Sequence, residues 1–375
     1  GKQGMVCMGL LLVLSSCHTG KQITASGLQR KDFQTEVNGQ HTDLFTLSNK
    51  QGMEVCITNY GARVVSILVP DRNGKREDVV CGFSTITEYM EQRQNFGSTV
   101  GRYIGRILNA RFTLDGVEYK LVPNNGKSGH ISHGGNPGFA DRIWKVEQAD
   151  THRVRLSYLS PDGENGFPGN LKVTLVYSLG EDDNALDLTY EATTDAPTVL
   201  NLSHHSFFNI SGNFTKSVED QQLWVDADRF TPYDDKKCVT GEYLQVAGTP
   251  LDFRMPHAIG ECIDADHPQL KVVNGYDHTW ELNTKGDDTR PAAWVYDPAS
   301  GRKMEIFTTE PGMQIYTGNG LKGKMTGKRG IAYPFRSAVC FETMHFQDSP
   351  NQPGFPSTVL RPGEVFRSHT VYKFE

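Results

Sequence analysis

Apolar and polar residues alternate along much of this chain. In "LKVTLVYSLG" (171–180), Leu171, Val173, Leu175 and Tyr177 fall on one face and Lys172 and Thr174 on the other. That is the period of two expected of a half-buried strand. "ALDLTYEATT" (185–194) alternates in the same way after the acidic turn "GEDDN". "RFTLDGVEYKL" (111–121) alternates on both sides of Asp115-Gly116, a two-residue hairpin signal. "AAWVYDPASGRKMEIFTT" (292–309) reads as strand, turn, strand. No run of helical period extends beyond about three turns, and "STITEYMEQRQ" (84–94) predicts at most a short helix. Strands punctuated by turns, without alternating helices, predict an all-β fold: a large antiparallel β-sandwich.

The first residues break the pattern. "GKQGMVCMGLLLVLSSCHTGKQ" carries one early cation, Lys2, then an apolar run from Met5 to Leu14. The run is too short for a bilayer, which takes roughly 20 residues, and has the length of a signal-peptide core. It ends in "LSSC", similar to a bacterial lipobox, with Cys17 as the expected lipidation site. The expected organisation is a lipoprotein-type signal peptide over 1–16, a linker over 17–27, and a single domain over 28–375. The matching location is the bacterial cell envelope, as a periplasm-facing lipoprotein that meets the membrane only through its lipid anchor.

Composition narrows the partners. The 375 residues carry a net charge of -6 with no basic stripe, which excludes nucleic acid as an expected partner. Charged residues at 22% and apolar ones at 37% suit a globular body, expected to be a monomer. Five cysteines follow Cys17: Cys56, Cys81, Cys238, Cys262 and Cys340. They are scattered and form no CxxC pair, so free thiols are expected rather than a disulfide framework or a zinc ribbon.

Five stretches carry candidate chemistry. "GNGLKGKM" (318–325) matches most of a phosphate-binding loop, but Met325 stands where Ser or Thr must hold the metal. "NNGKSGHISHGG" (124–135) holds His130 and His133 in a glycine-bounded loop. Without further ligands nearby, a hydrogen-bonding role for His133 is favoured over a metal site. Asp277 in "NGYDHTW" and Glu342 in "FETMHFQDSPN" lie beside aromatic residues, where desolvation raises a carboxyl pKa into the range useful to a general base. "NLSHHSFFNIS" (201–211) sets His204 beside His205. Neighbouring strand residues point to opposite faces, so only one of the two is expected to reach a site.

Together, "VGRYIGRI", "SHGG", "NLSHHSFFN", "NGYDH", "EPGMQIYTGN" and "FETMHFQDSPN" resemble the aldose 1-epimerase (galactose mutarotase) family, in the family's order, from about residue 30 to the end. The resemblance implies the galactose mutarotase-like supersandwich and interconversion of the α and β anomers of hexoses such as galactose and glucose. It implies Glu342 as general base, His205 as general acid, and Arg106, His133, Asp277 and Gln314 as residues that hold the sugar. Phe207 stands where a Tyr is common and is expected to pack on the sugar. Gly105 stands where the family pattern "NRI" has Asn, and His204 where it has Asn before the catalytic histidine. No cofactor is implied and no metal ligand set is named, with a structural divalent cation such as calcium left open.

The residue types suit the chemistry. A base takes the C1 hydroxyl proton while an acid protonates the ring oxygen; the aldehyde turns and recloses on its other face. A histidine and a partly buried glutamate can each take up and return a proton near neutral pH. Two other readings use the same residues. A glycoside hydrolase would pair Asp277 with Glu342 and leave the histidines idle. A non-catalytic carbohydrate-binding module would need the sugar-holding residues alone.

Overall fold

The computed structural model describes residues 21–375. Cys17 and the apolar run before it lie outside the described residues. Three antiparallel sheets dominate. The nine-stranded sheet runs, in spatial order, 145–149, 153–160, 171–179, 184–194, 366–374, 303–308, 293–296, 222–225 and 257–258. The six-stranded sheet runs 207–208, 339–344, 312–316, 277–281, 229–231 and 244–245, and the four-stranded sheet runs 44–48, 54–58, 63–70 and 76–78. Side chains from all three join one continuous apolar core. The nine-stranded sheet therefore forms one layer of a sandwich, and the other two form the second.

Local sequence explains the elements. Leu171–Leu179 alternates between buried and accessible positions, with Leu171, Val173, Leu175 and Tyr177 in the core. The 111–121 hairpin closes as expected: Val117 pairs with Leu114, and Asp115 and Gly116 both take positive φ, as a type I′ turn requires. Ile86–Gln92 forms the short helix, capped by the Thr85 hydroxyl accepting from the Glu88 N–H. A second helix, Pro268–Val273, starts on proline and ends on Asn274 in the left-handed region. At six residues it is too short for a periodic apolar signal. Among the described residues no helix is long and apolar enough to cross a membrane.

The two central strands of the four-stranded sheet are buried on both faces. Glu54–Thr58 and seven of the eight residues of Arg63–Pro70 are buried. One face meets the main core and the other a second cluster built on Phe83, Tyr89, Phe96, Phe207, Tyr333 and Cys340.

The folded body starts before residue 28, which corrects the expected linker boundary. The backbone N–H groups of Ala25 and Ser26 donate to the Glu54 carboxylate at 2.8 and 3.1 Å. Glu54 is buried, so this segment satisfies a carboxylate that water cannot reach.

Candidate active site

Register in the six-stranded sheet assembles the floor of the site. Gln314 lies directly between Thr279 on one neighbouring strand and Glu342 on the other. Two residues along, Tyr316 lies between Asp277 and Cys340, and Cys340 pairs with Phe207. Residues two apart share a face, so both rows point the same way. The alternate row, His278, Ile315 and Phe341, is buried, with Ile315 and Phe341 in the main core.

A cavity of about 560 Å³ opens above this face, a size typical of small-molecule sites, roughly 300–1,000 Å³. Six of the seven residues expected to act on or hold a ligand line it: Arg106, His133, His205, Asp277, Gln314 and Glu342. Tyr233, Tyr316, Lys237, Lys271, Asn319 and Gln347 are among the other lining residues.

The two adjacent histidines separate as strand geometry requires. Ser203–His205 pairs with Ser98–Val100. His205 enters the cavity, and its Nε2 lies 3.3 Å from Glu342 Oε1. His204 turns into the core between Tyr177 and Tyr372, with ring centroids 6.1 and 6.0 Å away, and its Nε2 meets Ser206 Oγ at 2.5 Å. Burial drives the His204 pKa down to about 3, which keeps it neutral.

Phe207 does not line the cavity, contrary to its expected role. It lies two residues after His205 on the same side of the chain, and its ring stacks beneath the imidazole at 5.1 Å and 26°. Phe96 closes on its edge at 4.9 Å. Phe207 therefore supports His205 from below, and the aromatic walls of the cavity are Tyr233 and Tyr316. Phe208 is buried against Tyr372 and Phe341.

His133 is held by the turn that follows Ile131–Ser132. Its N–H donates to Gly105 O at 3.1 Å, and Gly105 N–H donates back to His133 Nδ1, also at 3.1 Å. An Nδ1 that accepts leaves the proton on Nε2, and burial, with Arg106 adding, lowers the pKa to about 4. His133 is thus a neutral donor. The turn needs Gly134, where a Cβ would lie 2.0 Å from Gly101 O. His130 stays outside the cavity and accepts from Asn109 N–H through Nδ1 at 2.8 Å.

Electrostatics separate the acids from the base lines of ordinary carboxyls. Burial raises Glu342 well above its ordinary value, and the neighbouring Asp277 charge adds to it. Burial pulls His205 well below its ordinary value, helped by His133. Each shift disfavours the charged form, so the contacting pair is poised to hold one shared proton. Asp277 is raised to about 6 by burial, opposed by Gln314, Arg106 and Lys237. Gln314 Nε2 donates to Asp277 Oδ1 at 2.8 Å, and its Oε1 accepts from Thr279 Oγ1. Arg106 donates through Nη1 to Lys237 O at 2.6 Å, leaving the rest of its guanidinium fork for other acceptors.

Among the described residues, Cys340 is the one cysteine beside this chemistry, with Sγ 3.7 Å from His205 Nδ1. Burial raises its thiol well above the ordinary value. All five cysteines among the described residues are free. His133, His205 and Glu342 each offer a ligand atom within 4.8 Å of the others, a donor set of the kind that divalent zinc accepts.

Comparison with known proteins bears on the family and the fold. The family model described as aldose 1-epimerase matches residues 43–373. The galactose mutarotase of Bos taurus is 40% identical over 331 residues, 88% of this chain and 93% of that one. The aldose 1-epimerase of Escherichia coli K12 is 36% identical over 340 residues, 90% of this chain and 96% of that one. Among solved structures, an aldose epimerase homologue from C. elegans superposes with a TM-score of 0.82 at 31% identity, covering 89% of this chain and 99% of that chain. Galactose 1-epimerase from Lactobacillus acidophilus gives 0.79 at 28%, covering 91% and 96%. The chain is an all-β sandwich of the galactose mutarotase-like type, and it belongs to the aldose 1-epimerase family.

Proposed function

We propose that this chain interconverts the α and β anomers of free hexoses such as galactose and glucose. The observation that carries this reading is the His205–Glu342 contact of 3.3 Å at the base of the cavity. In ring opening, Glu342 takes the C1 hydroxyl proton and His205 delivers a proton to the ring oxygen. The pair passes from carboxylate and imidazolium to carboxylic acid and imidazole. Rotation about C1–C2 and reclosure reverse both transfers. The pair holds one proton before and after each step, and the opposed pKa shifts favour its neutral carboxylic acid–imidazole form, the state reached on ring opening.

His133, as a neutral Nε2–H donor, and the Arg106 guanidinium donate to sugar oxygens. Asp277 and Gln314 accept and donate to hydroxyls. A hydrolase would pair Glu342 with Asp277 and leave the histidines idle, whereas here the His205 imidazole contacts Glu342. Acid–base transfer supplies the chemistry without a cofactor, so activity should survive chelation by EDTA. The test is polarimetry on freshly dissolved α-galactose and α-glucose. Rates no faster than spontaneous mutarotation at micromolar protein contradict the reading.

The N-terminal sequence supports a further reading: export, lipidation at Cys17, and tethering of a monomeric domain to a bacterial envelope membrane. Cys17→Ser should move the protein from the membrane to the soluble fraction. Light scattering on the soluble form checks the monomer. Unprocessed wild-type protein free of membrane contradicts the anchor.

A further inference from the structure

Gly105 and Gln347 occupy each other's space. Gly105 has a φ of +79°, and a Cβ built on it would lie 2.6 Å from Gln347 Cγ and 3.2 Å from Gln347 Cδ. No side chain fits at 105 while Gln347 keeps its place. Gln347 is 8% exposed and lines the cavity. Its Oε1 accepts from the Arg106 N–H at 3.3 Å. Its Nε2 donates to Tyr233 OH at 2.9 Å and reaches Gln314 Oε1 at 3.4 Å. Gln314 in turn donates to Asp277.

One carboxamide thus links the backbone of Arg106 to Gln314, and through it to Asp277. Only a group that both accepts and donates can make this link. We propose that Gln347 is a positioning and specificity-determining residue of the sugar site, and that its carboxamide stands in for the side chain absent at Gly105. In this chain the polar group beside Arg106 comes from the segment after strand Val339–Met344 and not from residue 105. The consequence is a different angle of approach to the sugar, and hence a different preference among hexoses that differ at one hydroxyl.

The inference rests on the anomer-interconverting reading and is tested on the full chain with four variants. Gln347→Ala removes the link, and Gln347→Met removes the carboxamide while keeping the volume. Gly105→Asn adds a side chain that meets Gln347, at a position where Asn tolerates a positive φ. The double variant moves the carboxamide from 347 to 105. Polarimetry gives kcat and KM for galactose and glucose, and thermal melting checks the fold.

Gln347→Ala and Gln347→Met should raise KM about tenfold, with kcat within about threefold, as expected when two or so buried hydrogen bonds are lost. The galactose-to-glucose ratio of kcat/KM should also shift. Gly105→Asn alone should be the worst, and the double variant should recover most of the loss in KM. A Gln347→Met variant with unchanged KM and sugar preference overturns the proposal, as does a double variant no better than Gly105→Asn. Should the wild type fail to accelerate mutarotation, the parent reading fails. Galactose calorimetry then decides the positioning role by the same order of affinities, and equal affinity in Gln347→Met and wild type overturns it.

Discussion

Replacing Glu342 by Gln tests the chemistry while sparing the architecture. Glu342 sits mid-strand, 3% exposed, directly opposite Gln314. Gln has the same length and can still meet His205, but it cannot take the C1 hydroxyl proton. A positioned general base contributes roughly 10²–10⁴-fold. The expected fall in kcat is therefore about 10²–10⁴-fold, or about 2.7–5.4 kcal/mol of transition-state stabilisation at 1.36 kcal/mol per decade. KM should stay within about threefold, because Arg106, His133 and Asp277 still line the cavity and an interaction used mainly in the transition state leaves KM alone. The fold should not suffer: burial already disfavours the Glu342 charge, and a neutral amide carries no such penalty. Initial-rate polarimetry with freshly dissolved α-galactose, corrected for the spontaneous rate, measures kcat, and circular dichroism confirms folding. A variant that keeps more than a tenth of wild-type kcat refutes the assignment of Glu342 as base. A variant that loses KM and kcat equally points to a binding role instead.

Three further outcomes are expected. His205→Asn should lower kcat on the scale of Glu342→Gln, whereas His204→Asn should cost about 1–2 kcal/mol of stability, from the Ser206 bond and packing on the two tyrosines, with kcat little changed; the reverse order of kcat values would mean the strand faces are misassigned. Deleting residues 21–27 should destabilise the body by roughly 2 kcal/mol relative to a start at residue 21, because Glu54 loses the Ala25 and Ser26 donors and charged hydrogen bonds contribute about 1.5–3 kcal/mol each before water replaces them; equal urea midpoints would count against this. His369, raised to about 9 by Asp187 and Asp288, has a folded pKa above its unfolded value of about 6.5. Its contribution is therefore complete below about pH 6.5 and fades as pH rises toward 9, so the stability gap between wild type and His369→Gln should shrink from pH 6 to pH 9; a gap that widens contradicts the ion triad.

How much of this is legible in a bare sequence depends on where each residue's neighbours come from. Leu171–Leu179 and Asn184–Thr194 read correctly because each buries one face and exposes the other, which writes a period of two into the chain. Arg63–Pro70 carries no such signal, since both faces are buried. The packed segment from Thr24 is invisible because its partner, Glu54, lies far along the chain. In the site, the residues in compact motifs could be found: Arg106, His133, His205, Asp277, Gln314 and Glu342. Tyr233 and Lys237, outside every motif, could not, and Gln347 lay within one that gave it no role. They enter the cavity from turns and loop segments whose positions are set only when the sheets close. Phe207 lay within a motif, but motif membership does not say whether a ring meets the ligand or the imidazole beneath it.

The difference between His204 and His205 shows why the strand is the right scaffold for this site. One residue of displacement reverses the direction of a side chain. The same reversal sends Phe341 to the core and Glu342 to the cavity. His205 and Glu342 lie on different strands, yet their 3.3 Å contact depends on both registers at once. A slip of one residue in Ser203–His205 would bring His204 or Ser206 to the cavity and put the His205 imidazole into the tyrosine-lined core. The backbone ties on this segment act against such a slip. Asn201 donates to His345 O at 3.0 Å and accepts from His345 N–H at 3.0 Å, and Ser203 Oγ donates to Thr343 O at 2.8 Å. These bonds fasten the histidine strand to the glutamate strand just before His205 and just after Glu342. Asn201 and Ser203 therefore fix which histidine meets Glu342, although neither lines the cavity.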